Sequence, residues 1–372
     1  MNVKRDKPGF MRRILATRGM PQVITVTIGL ILIFIVFSFL SENFTSQRNL
    51  RNLARQTAPI LIIGIAQSYV LITGNIDLSI GSVVGMSSMI SATLMTTGGN
   101  SWLSLGLAPW LAVIITLACC LAIGFINGQL VARCGLPPFI ATLGTMTIAR
   151  GIAQIVNNNR NTDSIGAGAR YFRDFFYYGS IRFTIPELTW LPESVRKFIY
   201  HGETLIFTPV LIAAVLWLAF NFILSRTKTG RHIYAVGSNI EAARMSGINV
   251  TATVTKAYLV SSFCSCVVGF IVCATGGVGT MDAGTMYELY AVAASVIGGI
   301  STLGGQGLLL GTVVGASIWS VLQNGLVLAN APVAIRNIAV GIIVVISVLL
   351  DIIVRSGKWR LKKARLEARE PE

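Results

Sequence analysis

Long apolar runs separated by short polar breaks set the architecture of this chain. Residues 21–40, 109–130, 138–155, 205–224, 256–274, 308–328 and 337–354 are almost continuously hydrophobic. About 20 such residues cross the ~30 Å hydrocarbon core of a bilayer as a helix, which closes its own backbone hydrogen bonds where water is absent. Shorter or interrupted runs cover 58–73, 80–95 and 291–300. The pattern predicts an all-α integral membrane protein with about ten transmembrane helices. Its parts are an N-terminal tail 1–20, a transmembrane domain 21–354 and a basic tail 355–372.

A long polar break, 229–248, is rich in small residues and carries charge in the middle of an apolar chain. Glu241-Ala242-Ala243-Arg244 has helix-forming composition, with Ser238 or Asn239 to cap its start and Gly247 to stop it. An ordinary solvated loop would not call for so many small residues beside a fixed charge pair. We read Gly237, Ser238, Asn239, Glu241, Ala242, Ala243, Arg244 and Gly247, within a cytoplasmic segment 225–256, as a docking element for a partner outside the bilayer.

A second break, Thr73-Gly74-Asn75-Ile76-Asp77-Leu78-Ser79-Ile80-Gly81-Ser82, places a carboxylate between two short apolar runs. Asp77 is costly in lipid and is expected to face protein or water, while the glycines permit a tight reversal. Two compatible roles follow: Asp77 as N-cap of the next helix, accepting from its first amides, or as part of a gate. The third break, 298–307, is its glycine-rich counterpart. Gly305-x-Gly307 has Leu310 at the third glycine's place and no strand before it, so it is not a dinucleotide fingerprint. Gly357-Lys358 has Ile352 and Trp359 where a phosphate-binding loop needs Gly and Ser or Thr. ATP-driven transport would therefore need another subunit to bind the nucleotide.

Composition agrees with the pattern: 53% of residues are hydrophobic, 12% are charged and the mean hydropathy is +0.69, too little polar cover for a soluble fold of this size. The net charge of +15 does not point to nucleic acid, because the basic residues cluster beside the spans. With ten crossings and the N-terminus inside, the tails 1–20 and 355–372 hold 6 and 7 Lys/Arg and 225–256 holds 5, against 3 in 41–57 and 6 in 156–203. That excess puts both termini in the cytoplasm, although Arg48, Arg51 and Arg55 run against the rule. The first run is expected to act as an uncleaved anchor. Cys119, Cys120, Cys134, Cys264, Cys266 and Cys273 lie in or beside apolar runs and are expected to be free thiols, with no metal-like spacing among them.

Ile126-Asn127-Gly128-Gln129-Leu130-Val131 is echoed by Gln323-Asn324-Gly325-Leu326-Val327, about half a chain later. With five helices per half, the second copy would enter from the opposite side, an inverted five-helix repeat. Segment 156–203 combines Tyr171, Phe172, Phe175, Phe176, Tyr177, Tyr178 and Trp190 with nearly balanced charge. It reads either as an interfacial helix or as a surface on which a partner docks. Arg150, inside a span, either lines a cavity or pairs with a backbone carbonyl or a carboxylate. The helices show no cluster of aromatic and acidic residues of the kind that lines a dedicated ligand pocket.

Taken in order, Gly74 to Ser82, Asn127-Gly128, Pro138 to Met146, Ala149-Arg150-Gly151, the 229–248 stretch, Ile297 to Ser301 and Gly304-Gly305 make the chain resemble the permease subunit of bacterial ABC importers for monosaccharides, the ribose, xylose and galactose group. The resemblance runs over about residues 20 to 355. Departures are Asn75 where many members have Gly, Ser238 where the loop usually has a second Gly, and the length of 156–203. The resemblance implies a type II-importer-like homodimer of ten-helix permeases in the bacterial inner membrane. It further implies two ATPase subunits carrying ATP and Mg, a periplasmic sugar-binding protein above, and no catalytic, metal or cofactor site in this chain. The candidate pathway or gate comprises Asn75, Asp77, Ser79, Asn127, Phe139, Thr142, Arg150, Ser301 and Asn324. The alternatives are a secondary sugar transporter driven by an ion gradient, for which Asp77 is the candidate group, and an ABC importer of a furanosyl signalling molecule.

Overall fold

The computed structural model describes residues 20–97, 103–185 and 202–355; both tails and Trp190 lie outside them. Each of the ten apolar segments forms helix over most of its length, except that residues 205–207 belong to a strand and 298–300 lie past a helix end. The first half holds α1 (Met20–Leu40), α2 (Gln47–Ile72), α3 (Ile80–Met95), α4 (Pro109–Ala132) and α5 (Pro138–Ile155). A 3-10 turn (Ala167–Ala169), α6 (Arg170–Arg173) and a π turn (Asp174–Tyr178) lead into an antiparallel hairpin, β1 (Ser180–Ile185) with β2 (Gly202–Phe207). Then follow α7 (Thr208–Arg226), α8 (Lys228–Ser238), α9 (Ile240–Met245), α10 (Val250–Gly276), α11 (Tyr287–Ile297), α12 (Leu309–Leu328) and α13 (Val333–Arg355). The chain is predominantly helical, and among the described residues the hairpin is its one sheet.

Among the described residues six helices, α1, α2, α4, α7, α10 and α12, are long and apolar enough to cross a membrane. Proline opens α4, α5 and α7, where its missing N–H costs nothing. Helix α10 ends at Gly277, whose φ of +68° suits glycine.

The core is α2, α3 and α10. Every residue of α3 is buried, and so is every residue of α2 from Ile60 to Ile72. In lipid no hydrophobic gain drives helices together, so small residues that admit close backbone approach carry the packing. Gly64 of α2 meets Ala294 of α11 and Thr312 of α12, Gly269 of α10 meets Ser87 of α3, and Gly128 of α4 meets Thr255 of α10; a Cβ at any of these three would come within 3.0 Å of its neighbour. Around this centre α3 and α4 lie against α10, α11 and α12 lie against α2, and α2 and α10 lie against each other. Outer helices turn bare apolar surface outward: Ile28 and Leu32 on α1, Phe139 and Ile148 on α5, Ile338 and Ile342 on α13 are all exposed. Of the aromatic segment, Phe172 and Phe176 are buried against Phe270 of α10, whereas Tyr171 and Phe175 are exposed.

Candidate functional site

The polar break 229–248 is mostly helix. Buried Ile233 and Val236 turn one face of α8 inward, which is why residues without a long apolar run still form a helix there. Asn239, rather than Ser238, caps α9, its Oδ1 accepting the Ala242 N–H at 2.9 Å. Gly247 ends the turn with φ of +77°. Ser238 closes α8, its Oγ donating to the Tyr234 carbonyl at 2.8 Å. On α9, Ala243 is buried while Glu241 and Arg244 pair at 3.2 Å with side chains 73% and 64% exposed. Ile240 and Met245 are exposed beside them, so α9 presents a mixed apolar and charged face to the outside.

Helix α8 is bolted to the bundle by glycine. A Cβ on Gly237 would sit 2.7 Å from the Gly305 nitrogen and 2.8 Å from the Ile72 carbonyl carbon. The Gly305 N–H donates to Ile72 O at 2.8 Å, and Gly74 and Gly304, both at positive φ, touch in the same place. Tyr234 Oη donates to Gly307 O at 2.7 Å; burial pushes this phenol up to about 12, which keeps the donor proton in place at any ordinary pH. The three polar breaks of the sequence therefore meet at one end of α2.

Behind this junction lies a closed polar chain. Thr145 Oγ1 donates to Asn127 Oδ1 (2.6 Å), Asn127 Nδ2 to Ser79 Oγ (3.0 Å), and Ser79 Oγ to Asp77 Oδ1 (2.6 Å). The Ser79 N–H also donates to Oδ1 (2.8 Å), and Ser261 Oγ of α10 donates to Oδ2 (2.6 Å). All five residues are at most 2% exposed. Each bond polarises the next, and a fully satisfied buried network of this kind rigidifies its surroundings. The N-cap expectation for Asp77 needs correction: Ser79 holds that position, and the Asp77 oxygens accept from Ser79 and Ser261 rather than from the first amides of α3.

The remaining candidates are dispersed. Asn75 Nδ2 donates to Thr73 Oγ1 at 2.8 Å, and Ser301 Oγ accepts the Leu303 N–H at 3.2 Å, both beside the glycine junction. Thr142 is buried and returns its proton to Pro138 O at 2.8 Å. Phe139 is exposed on the outer surface. Arg150 takes the structural alternative, donating through Nη1 to the carbonyls of Met281 and Ala283. Its guanidinium rests against Gly85, and the Glu288 carboxylate against Gly81, on neighbouring turns of α3. Asn324 lies at the far end, in a reciprocal amide pair with Asn49 at 2.9 and 3.0 Å. The sequence reading missed Asn49, Thr145 and Ser261 as site residues: Asn49 and Ser261 stand in no local motif, Thr145 is one small polar residue within the Pro138 to Met146 stretch, and only the fold brings each to its partner.

A family profile described as branched-chain amino acid transport system / permease component matches residues 49–348. Among curated proteins, the chain is 32% identical to the ribose import permease protein RbsC of Bacillus subtilis, over 90% of this chain and 94% of that one. It is 31% identical to RbsC of Haemophilus influenzae (87% and 91%) and 31% identical to the xylose transport system permease protein XylH of Escherichia coli K12 (89% and 91%). No solved structure matches the chain.

Proposed function

This chain belongs to the family of branched-chain amino acid transport system permease components, and from that premise we propose that it is the membrane-spanning subunit of an ATP-driven importer of a monosaccharide. Relatives named for ribose and xylose import support the substrate class. In this reading the chain is a multi-pass protein of the inner membrane with both termini in the cytoplasm. It works as a homodimer, with ATPase subunits carrying ATP and Mg on the cytoplasmic side and a sugar-binding protein in the periplasm.

The observation that carries the reading is the joint between α8, α9 and α2. Helix α9, whose outward face bears Ile240, Glu241, Arg244 and Met245, directly follows α8, which is locked through Gly237 to the C-terminal end of α2. A push on α9 is thereby delivered to backbone, with no flexible side chain between. The exchange of partners between halves, α3 and α4 on α10 against α11 and α12 on α2, supports an inverted five-helix repeat. The ion-driven alternative needs a titratable group open to the pathway, and its candidate, Asp77, is enclosed by serine hydroxyls.

Uptake of labelled ribose, xylose and galactose into vesicles holding the assembled complex tests the proposal. With ATP supplied and ion gradients collapsed, uptake is expected to persist. Uptake that follows the gradient and ignores ATP would overturn the ATP-driven reading.

A further inference from the structure

A cavity of about 560 Å³ lies between α2, α10, α11 and α12. It sits toward the N-terminal end of α2, about 18–30 Å from the α8 joint at 1.5 Å per residue. Asn52 and Gln56, both exposed, line it from successive turns of α2. Trp319 of α12, only 2% exposed, lines its base, with the Tyr290 ring 4.9 Å away and tilted by 38°. Gln323 follows Trp319 by one helical turn. Arg55 is held between the faces of Tyr177 and Phe207, 4.1 and 4.0 Å from the ring centroids. Its Nε has no hydrogen-bond partner among the described residues.

This lining has a chemical preference. Aromatic faces accept the C–H face of a sugar ring, and planar amide and guanidinium edges match vicinal hydroxyls. Among the lining residues there is no carboxylate, and Arg55 already brings a positive charge, so the charge balance there favours a neutral ligand over a cation or an amine. The Arg55 faces are covered by two rings, which leaves its N–H edge for hydrogen bonds in plane. The volume is in the usual range for a small-molecule site, roughly 300–1,000 Å³, with room for bridging water.

We propose that this cavity is a monosaccharide subsite built within a single protomer, where a sugar is held loosely on its way through. The proposal rests on the importer reading and adds a place of contact that the sequence does not display. Its residues come from four helices, the loop between α10 and α11, and Tyr177. A weak site suits transport, because a tightly held sugar would not move on.

Saturation-transfer NMR on the full-length permease in lipid nanodiscs, with D-ribose and D-xylose at millimolar concentration, tests it. Saturation is expected to reach the C–H protons of at least one sugar. In the Asn52→Ala/Gln323→Ala double variant the apparent affinity is expected to fall about tenfold, from the loss of two hydrogen-bonding amides. Trp319→Phe is expected to weaken the signal with the rest of the molecule unchanged in thermal midpoint; if it destabilises the protein, the amide variant, at exposed and half-buried positions, decides. No saturation in the wild type, or equal affinity in the amide variant, would overturn the subsite. ATP-dependent uptake by the assembled wild-type complex is scored separately: its failure sinks the importer reading, whereas its success beside an unaffected amide variant sinks the subsite alone.

Discussion

Replacing Gly237 by alanine puts one methyl group into the joint between α8 and α2. The new Cβ would stand 2.7 Å from the Gly305 nitrogen and 2.8 Å from the Ile72 carbonyl carbon, where carbon contacts are comfortable at about 3.5–4.0 Å. The Cβ would also overlap the Ile72 carbonyl oxygen outright; all these walls are backbone and cannot rotate aside, so α8 must withdraw by more than about 1 Å. Overpacking of this kind costs about 1–3 kcal/mol, equivalent to about 5- to 150-fold against the docked position of α8. The outward face of α9 is untouched. ATPase attachment should therefore be retained while transmission is lost. We expect the ATPase to co-purify with the Gly237→Ala permease at wild-type yield, and sugar taken up per ATP hydrolysed in proteoliposomes to fall at least about fivefold. Gly144→Ala on α5, where nothing lies within 4 Å of the added carbon, is the control and should behave as wild type. Wild-type coupling and thermal midpoint in Gly237→Ala would refute the rigid-joint argument.

Asp77→Ala strands the Ser79 N–H and the Ser79 and Ser261 hydroxyls, at about 1–3 kcal/mol for each buried group left unsatisfied; a clear loss of thermal midpoint is expected, smaller for Asp77→Asn. Asp77→Asn with full stability and no uptake would instead favour an ion-coupled role. Asn324→Leu breaks the reciprocal pair with Asn49 and should destabilise by about 1–3 kcal/mol; if adding Asn49→Leu fails to recover part of that loss, the pair is not what the single change removes. Cys134 is exposed between α4 and α5, on the side the charge pattern assigns to the cytoplasm. A membrane-impermeant maleimide should label it in inside-out vesicles and not in spheroplasts, and the reverse result would invert the topology.

Helix placement was legible because the bilayer imposes it: apolar length and proline openings mark α4, α5 and α7 within a few residues of their observed bounds. The cap at Asn239 and the stop at Gly247 were legible for the same local reason. Helix α8 was less so, since its apolar face is only Ile233 and Val236 and reads as part of a polar loop. The hairpin was not foreseen either, as pairing of Ser180 with Phe207 is a non-local choice. For Asp77 the sequence announced the cost of burial, yet which groups meet that cost depends on α10 and α4 arriving from elsewhere in the chain. The same holds for the cavity: Trp319, Tyr290 and Asn52 look like ordinary span or interface residues until three helices converge.

Charge reversal on α9 tests the central claim most directly. The Glu241 and Arg244 side chains are 73% and 64% exposed, so their pair adds at most about 1 kcal/mol to the fold, and Glu241→Arg/Arg244→Glu keeps a pair in reversed order. If α9 is the handle by which a separate ATPase drives this permease, the double variant should fold normally, lose co-purification of the ATPase and stop uptake. Undiminished ATPase attachment and uptake in that variant would contradict the account.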